Sequence, residues 1–411
     1  MKRHVFLPLI VISCLFAFGC QQETSHTPKG EKLLLLSFDG FRYDYLSKAE
    51  TPNFDHLVEG GVISDGLIPI FPSKTFPNYY AIATGLYPEN NGFVGNSMYD
   101  PEMDARFSMG NRDAVENPDW YQGEPIWNTV EKNGKQAGTM FWVGSETPIQ
   151  DMRPTHWKSY DGSMPDSARI DSVVKWLSYG NELEVDFATV YFSFVDSRGH
   201  RYGPDSPEVV EAIRRADDLV GYLIEKMNQS RLKEYTNLMI VSDHGMAEVS
   251  PDRKVVLDDM IDPDDLELVE YSPSLMANVK DGKLDEVYNA LKANEENFKV
   301  YKKEDIPDRY HLKNHPRIPE LLMVADLGYT INSRDYFESR DNYPSGGVHG
   351  FDNMETEMHA IFVANGPDFK SGYRMQAFQN VHLYALMAHL LEVEPAQTDG
   401  NLNTVSVMLK Q

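Results

Sequence analysis

Short apolar runs alternating with helical patterns predict an α/β fold on a largely parallel sheet, with a small inserted α+β subdomain. The runs Lys32 to Phe38, Asp186 to Val195 and Asn237 to Ser242 are almost unbroken in apolar residues, as strands buried on both faces are. Capped, amphipathic segments separate them. Between about Pro251 and Pro344 the alternation loosens, which marks the insertion before the core resumes near Gly346.

The chain has 411 residues, 41% apolar and 25% charged, enough to bury a sizeable core. It opens with Lys2-Arg3-His4 and an apolar run from Val5 to Gly19, too short to span a bilayer. The ending Ala17-Phe18-Gly19-Cys20 resembles a bacterial lipoprotein signal, although Ala17 stands where Leu is usual; a plain secretory signal is the alternative. The resemblance implies a signal peptide over 1–19, a polar tether over 20–31 and a globular body over 32–411 with its insertion at about 251–344. It further implies an exported, lipid-anchored protein of the bacterial outer membrane, facing the periplasm or the surface.

Both cysteines, Cys14 and Cys20, belong to the leader or its end, so the body has no thiol for a disulfide or a metal. A formal charge of −25 opposes binding of long nucleic acids through their phosphates. Small phosphorylated substrates stay open to it if metal ions supply local positive charge.

In chain order, Lys32 to Phe38 reads as a strand ending in Asp39-Gly40. Thr51 to Gly60 has a cap, a first-turn Pro and a terminal Gly, the marks of a helix. In Phe71 to Gly85, Thr75 stands where an N-cap should, Pro77 follows in the first turn and Gly85 stops the helix. A hydroxyl there faces free backbone N–H groups and the positive end of the helix dipole, which favours a bound phosphate and an alkoxide. Pro125 to Asn133 is helical and Gln136 to Val143 a strand; Ile170 to Tyr179 is an amphipathic helix burying Trp176. Pro207 to Met227 is a long helix, His359 to Ala364 a strand and Val381 to Leu391 a helix, while Lys283 to Asn294 and Glu320 to Asp326 supply a helix and a strand of the insertion.

Three of the strands end in acidic residues: Asp39, Asp196, and Asp243 beside His244. In a parallel sheet those ends share one edge, where ligands bind. Asp196 and His200 lie four residues apart, Gly245 permits a chain break after Asp243-His244, and Gly346 to Asn353 adds His349 in a glycine-rich loop. Carboxylate and imidazole without thiolate suit Zn²⁺ better than Mn²⁺ or Fe.

These residues resemble the nucleotide pyrophosphatase/phosphodiesterase family of the alkaline-phosphatase superfamily. The matching stretches are Ser37-Phe38-Asp39-Gly40, Lys74-Thr75-Phe76-Pro77-Asn78, Gly95-Asn96-Ser97-Met98-Tyr99-Asp100, Asp196-Ser197-Arg198-Gly199-His200, Ser242-Asp243-His244-Gly245-Met246 and Gly347-Val348-His349-Gly350, in the family's order. The resemblance implies a three-layer alkaline-phosphatase-like core over 32–411 and two zinc ions per chain. One zinc would be held by Asp39, Thr75, Asp243 and His244, the other by Asp196, His200 and His349. Thr75 would be the nucleophile, passing through a phosphothreonine intermediate to release nucleoside 5'-monophosphates, with Asn96 donating to a phosphate oxygen. Phe76, Tyr160 and Tyr191 fall where the family places rings around the nucleobase; core or surface packing is the alternative for each. Val195, and Ser193-Phe194 in place of an acidic pair, depart from the family pattern and bear on substrate preference. A phosphomonoesterase or lipid-headgroup phosphodiesterase on the same fold is the second reading, and a binding lipoprotein without catalysis the third.

Overall fold

The computed structural model describes residues 1 and 30–411; the expected leader, Cys20 and most of the tether lie outside the described residues. The core is an eight-stranded sheet in the order Tyr373–Met375, Val62–Ser64, Phe362–Asn365, Thr236–Val241, Lys32–Phe38, Phe187–Phe192, Ala137–Met140, His156–Lys158. The Lys32–Phe38 strand lies at the middle, parallel to both neighbours, with Leu36 opposite Val190 on one side and Ile240 on the other. Phe362–Asn365 runs antiparallel to Thr236–Val241 and to Val62–Ser64, so the sheet is mixed but mostly parallel.

Strand periodicity sends successive side chains to opposite faces. Leu33 and Leu35 join the layer with the helices Thr75–Thr84, Ile126–Lys132 and His382–Leu390. Leu34 and Leu36 join the layer with Pro52–Glu59, Asp166–Leu177 and Pro207–Gln229. That is a three-layer α/β/α core, and it explains why the central strand is apolar on both faces. Each fully buried Leu contributes about 1.5–3 kcal/mol relative to exposure. Trp176 is buried as expected, stacked on His156.

Between Leu266 and Ala325 a separate four-stranded antiparallel sheet forms in the order Leu266–Glu270, Ser274–Val279, Leu321–Ala325, Phe298–Lys302. It has its own apolar cluster, in which Val287 and Leu291 of the helix Leu284–Ala293 meet Leu275 and Ala277.

Local structure departs from the sequence reading in three places. The strand expected over Asp186 to Val195 stops at Phe192, and a helix runs from Phe194 to Tyr202 with Asp196 in its first turn. An apolar run this short carries no period of its own, and packing of Val195 against the helical layer decides it. The strand expected to begin at His359 begins at Phe362. Thr75 is not the cap: Lys74 holds that position in extended backbone, and Thr75 is the first helical residue.

Candidate active site

Each acidic residue at the sheet edge is set by a break in the chain. Gly40 turns the backbone after Asp39 with φ +65°, and a Cβ there would lie 2.9 Å from the Asp196 backbone, so glycine lets the two loops touch. The Asp196 N–H donates to the Asp39 carbonyl at 2.9 Å. In the helix Phe194–Tyr202, Asp196 and His200 are one turn apart and share a face, with His200 Nε2 3.3 Å from Asp196 Oδ1. Asp243 accepts from the Gly40 N–H at 3.3 Å and from the Ser242 hydroxyl at 3.2 Å.

All three histidines are oriented in one way. His200 Nδ1 lies 2.9 Å from the Gly347 carbonyl, His244 Nδ1 2.8 Å from that of Gly245 and His349 Nδ1 2.9 Å from that of Ser73. Donation of Nδ1–H to a carbonyl fixes the tautomer and leaves Nε2 as the ligand atom. His244 Nε2 then sits 3.5 Å from Asp39 Oδ1 and 3.0 Å from Asp243 Oδ2, and His349 Nε2 3.9 Å from Asp196 Oδ1. The Thr75 hydroxyl lies 3.3 Å from His244 Nε2. Freed from capping, it faces this cluster.

The donor set fits divalent cations. Asp39 Oδ1, Asp196 Oδ1 and Asp243 Oδ2 are buried oxygens without a hydrogen-bond partner, a costly state for carboxylates unless a cation meets them. Burial, and then the charges of Asp243 and Asp196, raise the Asp39 carboxyl well above its ordinary range. Burial opposes the His200 imidazolium, but Asp196 outweighs it and raises the group to about 9. Asp39, Asp243 and His244 form one cluster of potential ligand atoms within 4.8 Å of one another; Asp196, His244 and His349 form another. Two adjoining clusters of hard and borderline donors, meeting at His244, form a candidate metal centre.

Beside it opens a cavity of about 430 Å³, lined by Asp39, Thr75, Asn96, Asp196, His200 and His349 together with aromatic residues. Asn96 Oδ1 accepts the Phe76 N–H at 2.9 Å, which holds the side-chain amide next to Thr75. The three expected aromatics all reach the cavity: Phe76 packs on Phe107, and Tyr160 is exposed with its ring edge-on to Phe141 and Tyr191. Asp243 and His244 lie wholly buried behind the wall. Reading the sequence missed Arg112 and Glu146, an ion pair on the cavity wall, because a lone Arg on a short helix carries no motif. It also missed the Tyr191 hydroxyl, which donates to Asp39 Oδ2 at 2.6 Å.

A family model described as type I phosphodiesterase / nucleotide pyrophosphatase matches residues 33–352. The chain belongs to the nucleotide pyrophosphatase/phosphodiesterase family. It is 36% identical over 403 residues to human ectonucleotide pyrophosphatase/phosphodiesterase family member 5, covering 98% of this chain and 83% of that protein. It is 37% identical over 405 residues to the human bis(5'-adenosyl)-triphosphatase ENPP4, covering 98% and 86%. The structure of murine family member 5 superposes with a TM-score of 0.88 at 35% identity, covering 92% of this chain and 100% of that one. An inactive threonine-to-alanine variant of that murine protein, in complex with AMP, superposes equally well.

This nucleotide pyrophosphatase/phosphodiesterase is therefore an alkaline-phosphatase-like hydrolase of phosphodiester and pyrophosphate bonds, in a metal-dependent family. The expectation of a lipid-anchored bacterial outer-membrane protein is overturned, because the relatives are animal ectoenzymes by name. A lipobox-like tetrapeptide is four residues of weak pattern, and likeness over the whole chain outweighs it. Among the described residues no helix is long and apolar enough to cross a membrane.

Proposed function

We infer that this enzyme cleaves nucleotide diesters and pyrophosphates through Thr75 and releases nucleoside 5'-monophosphates. The observation that carries the reading is the Thr75 hydroxyl at the first position of a helix, 3.3 Å from His244 Nε2 and on the cavity wall beside Asn96. A helix N-terminus presents unpaired N–H groups and positive potential to an anion, so the phosphoryl group is drawn to the nucleophile. Asn96, pinned by the Phe76 N–H, aims its amide donor at a phosphate oxygen, and the donor is worth most where charge develops in the transition state. Attack by the Thr75 oxygen on phosphorus breaks the bond to the leaving group, which departs with the proton lost from the hydroxyl, and leaves the nucleoside phosphate esterified to Thr75. Water then cleaves that phosphothreonyl ester, freeing the nucleoside 5'-monophosphate and restoring the hydroxyl.

Two zinc ions would be held by Asp39, Thr75, Asp243 and His244 and by Asp196, His200 and His349, where Thr75 adjoins the first cluster through His244 and His200 adjoins the second through Asp196. They would supply Lewis-acid charge that favours the alkoxide and offsets the phosphate. Phe76, Tyr160 and Tyr191 line the cavity where a base would lie, and offer ring faces and edges for stacking. The inactive threonine variant of the murine relative, with AMP bound, supports both the nucleophile and the product class. We read residues 32–411 as one catalytic domain with an insertion at about 251–344, and as an ectonucleotide enzyme, the word its relatives' names carry.

A panel of bis(5'-adenosyl) triphosphate, a chromogenic nucleotide diester, a chromogenic monoester and phosphocholine esters tests this. AMP release from the dinucleotide, with the diester turned over far faster than the monoester, is the expected result. Faster monoester or phosphocholine cleavage overturns it.

A further inference from the structure

Glu270 ends the first strand of the four-stranded sheet and is only 2% exposed, yet it does not reach the cavity. Its two carboxylate oxygens hold different parts of the active centre. One lies 2.9 Å from Lys74 Nζ and also accepts the Tyr271 N–H at 2.7 Å. The other accepts the Ser97 N–H at 2.9 Å. Lys74 is likewise buried, directly precedes Thr75, and donates to the Tyr271 carbonyl at 2.6 Å. Ser97 directly follows Asn96, whose own oxygen accepts from Phe76. The contacts close a ring: Glu270 to Ser97 and Asn96, Asn96 to Phe76 and Thr75, Lys74 back to Glu270. Gly95 is required beside it, since a Cβ there would lie 2.4 Å from Glu270 Oε2.

We propose that Glu270 is a positioning residue for the hydrolysis, fixing the spacing between the Thr75 oxygen and the Asn96 amide. The proposal rests on the reading of Thr75 as nucleophile and Asn96 as phosphate donor. Neither Lys74 nor Glu270 touches the cavity, so the pair acts through its neighbours rather than on substrate. A phosphoryl transfer depends on alignment to fractions of an ångström, and a buried, doubly bonded carboxylate is a stiff way to keep it. It also makes the separate sheet part of the catalytic frame: that sheet's strand end sets a distance inside the main domain.

The test measures kcat and KM on a chromogenic nucleotide diester, AMP affinity and metal content, for wild type and Glu270→Gln. The amide keeps an acceptor for the Ser97 N–H but drops the charge facing Lys74. The expected result is a kcat lower by about 10- to 100-fold, with KM, AMP affinity and metal content near wild type. In an Asn96→Ala background the same change adds little, because the residue it positions is gone. If Glu270→Gln fails to fold, Lys74→Met/Glu270→Gln replaces it, since removing both charges leaves none buried alone, and the same kcat loss is expected. A kcat within twofold of wild type in a folded variant, a change confined to KM, or full additivity with Asn96→Ala overturns the proposal. Turnover by Thr75→Ala would instead overturn the reading beneath it, so the two failures are distinguishable.

Discussion

The Tyr191 hydroxyl donates a 2.6 Å hydrogen bond to Asp39 Oδ2, so a residue that lines the cavity also fixes a carboxylate of the candidate metal centre. Burial, and then the Asp39 charge beside it, push the phenol well above its ordinary range, which keeps its proton in place as a donor. The bond satisfies Oδ2 and leaves Oδ1 directed at His244. Tyr191→Phe keeps the ring and removes the bond. We expect zinc affinity to fall by about 10- to 100-fold, read by chelator competition, with AMP affinity at saturating metal little changed. The opposite pattern, intact metal binding and lost AMP binding, would mean that only the aromatic ring matters.

The orientation of Tyr191 shows what could be read from the sequence and what could not. The doubly covered central strand was legible because Leu33 to Leu36 are apolar at every position, and the three-layer core followed from the family resemblance. Asp39 was legible because it directly follows such a strand, and Asp243 and His244 because they lie within three residues of the end of another. Asp196 was found for a partly wrong reason: its carboxylate reaches the centre from a helix, where four-residue spacing with His200 puts both on one face. The Thr75 cap was misplaced by one residue, and that residue decides whether the hydroxyl bonds its own helix or faces His244. Contacts such as Glu270 with Ser97 join residues 173 apart with no motif at either end, and only the packed chain brings them together.

His349 Nδ1 donates to the Ser73 carbonyl, tying the last histidine to the loop that precedes the nucleophile. The residue follows the short strand Gly347–Val348 rather than lying in a long element. His349→Ala should lower zinc from two ions per chain to one and abolish turnover, while the cooperative unfolding transition persists. Elemental analysis of purified protein reads the first, calorimetry the second. Two ions retained in the variant would remove His349 from the ligand set.

Stability should fall with acid through His315. Burial, and then the Arg317 charge, lower its imidazolium to about 4. Neutral His315 fits its site, with Nδ1 accepting the Arg317 N–H at 3.2 Å and Nε2 donating to Gln122 Oε1 at 3.2 Å. A proton on Nδ1 removes that acceptor. The folded value lies below the unfolded value of about 6.5, so the unfolded chain binds more protons between the two. The contribution is present in full above about pH 6.5 and is lost as pH falls toward 4. Urea midpoints across that window should drop more steeply for wild type than for His315→Gln. Parallel curves would assign the acid sensitivity elsewhere.

Thr75 gives the widest separation of outcomes. If its oxygen attacks phosphorus, Thr75→Ala has no nucleophile and turnover falls by orders of magnitude, yet AMP still binds through Asn96, the rings and the metal centre. Thr75→Ser keeps the oxygen and loses the methyl that stiffens χ1, so part of the activity remains. The hydroxyl makes no cap hydrogen bond to its own helix, so the alanine change should leave stability close to wild type instead of costing the ~1 kcal/mol of a lost cap. Calorimetry, AMP titration and a rate assay on the same preparation read all three. A well-folded, metal-loaded Thr75→Ala enzyme that keeps a tenth of the wild-type rate, a barrier difference of only about 1.4 kcal/mol, would sink the covalent route, because a missing nucleophile cannot be replaced so cheaply.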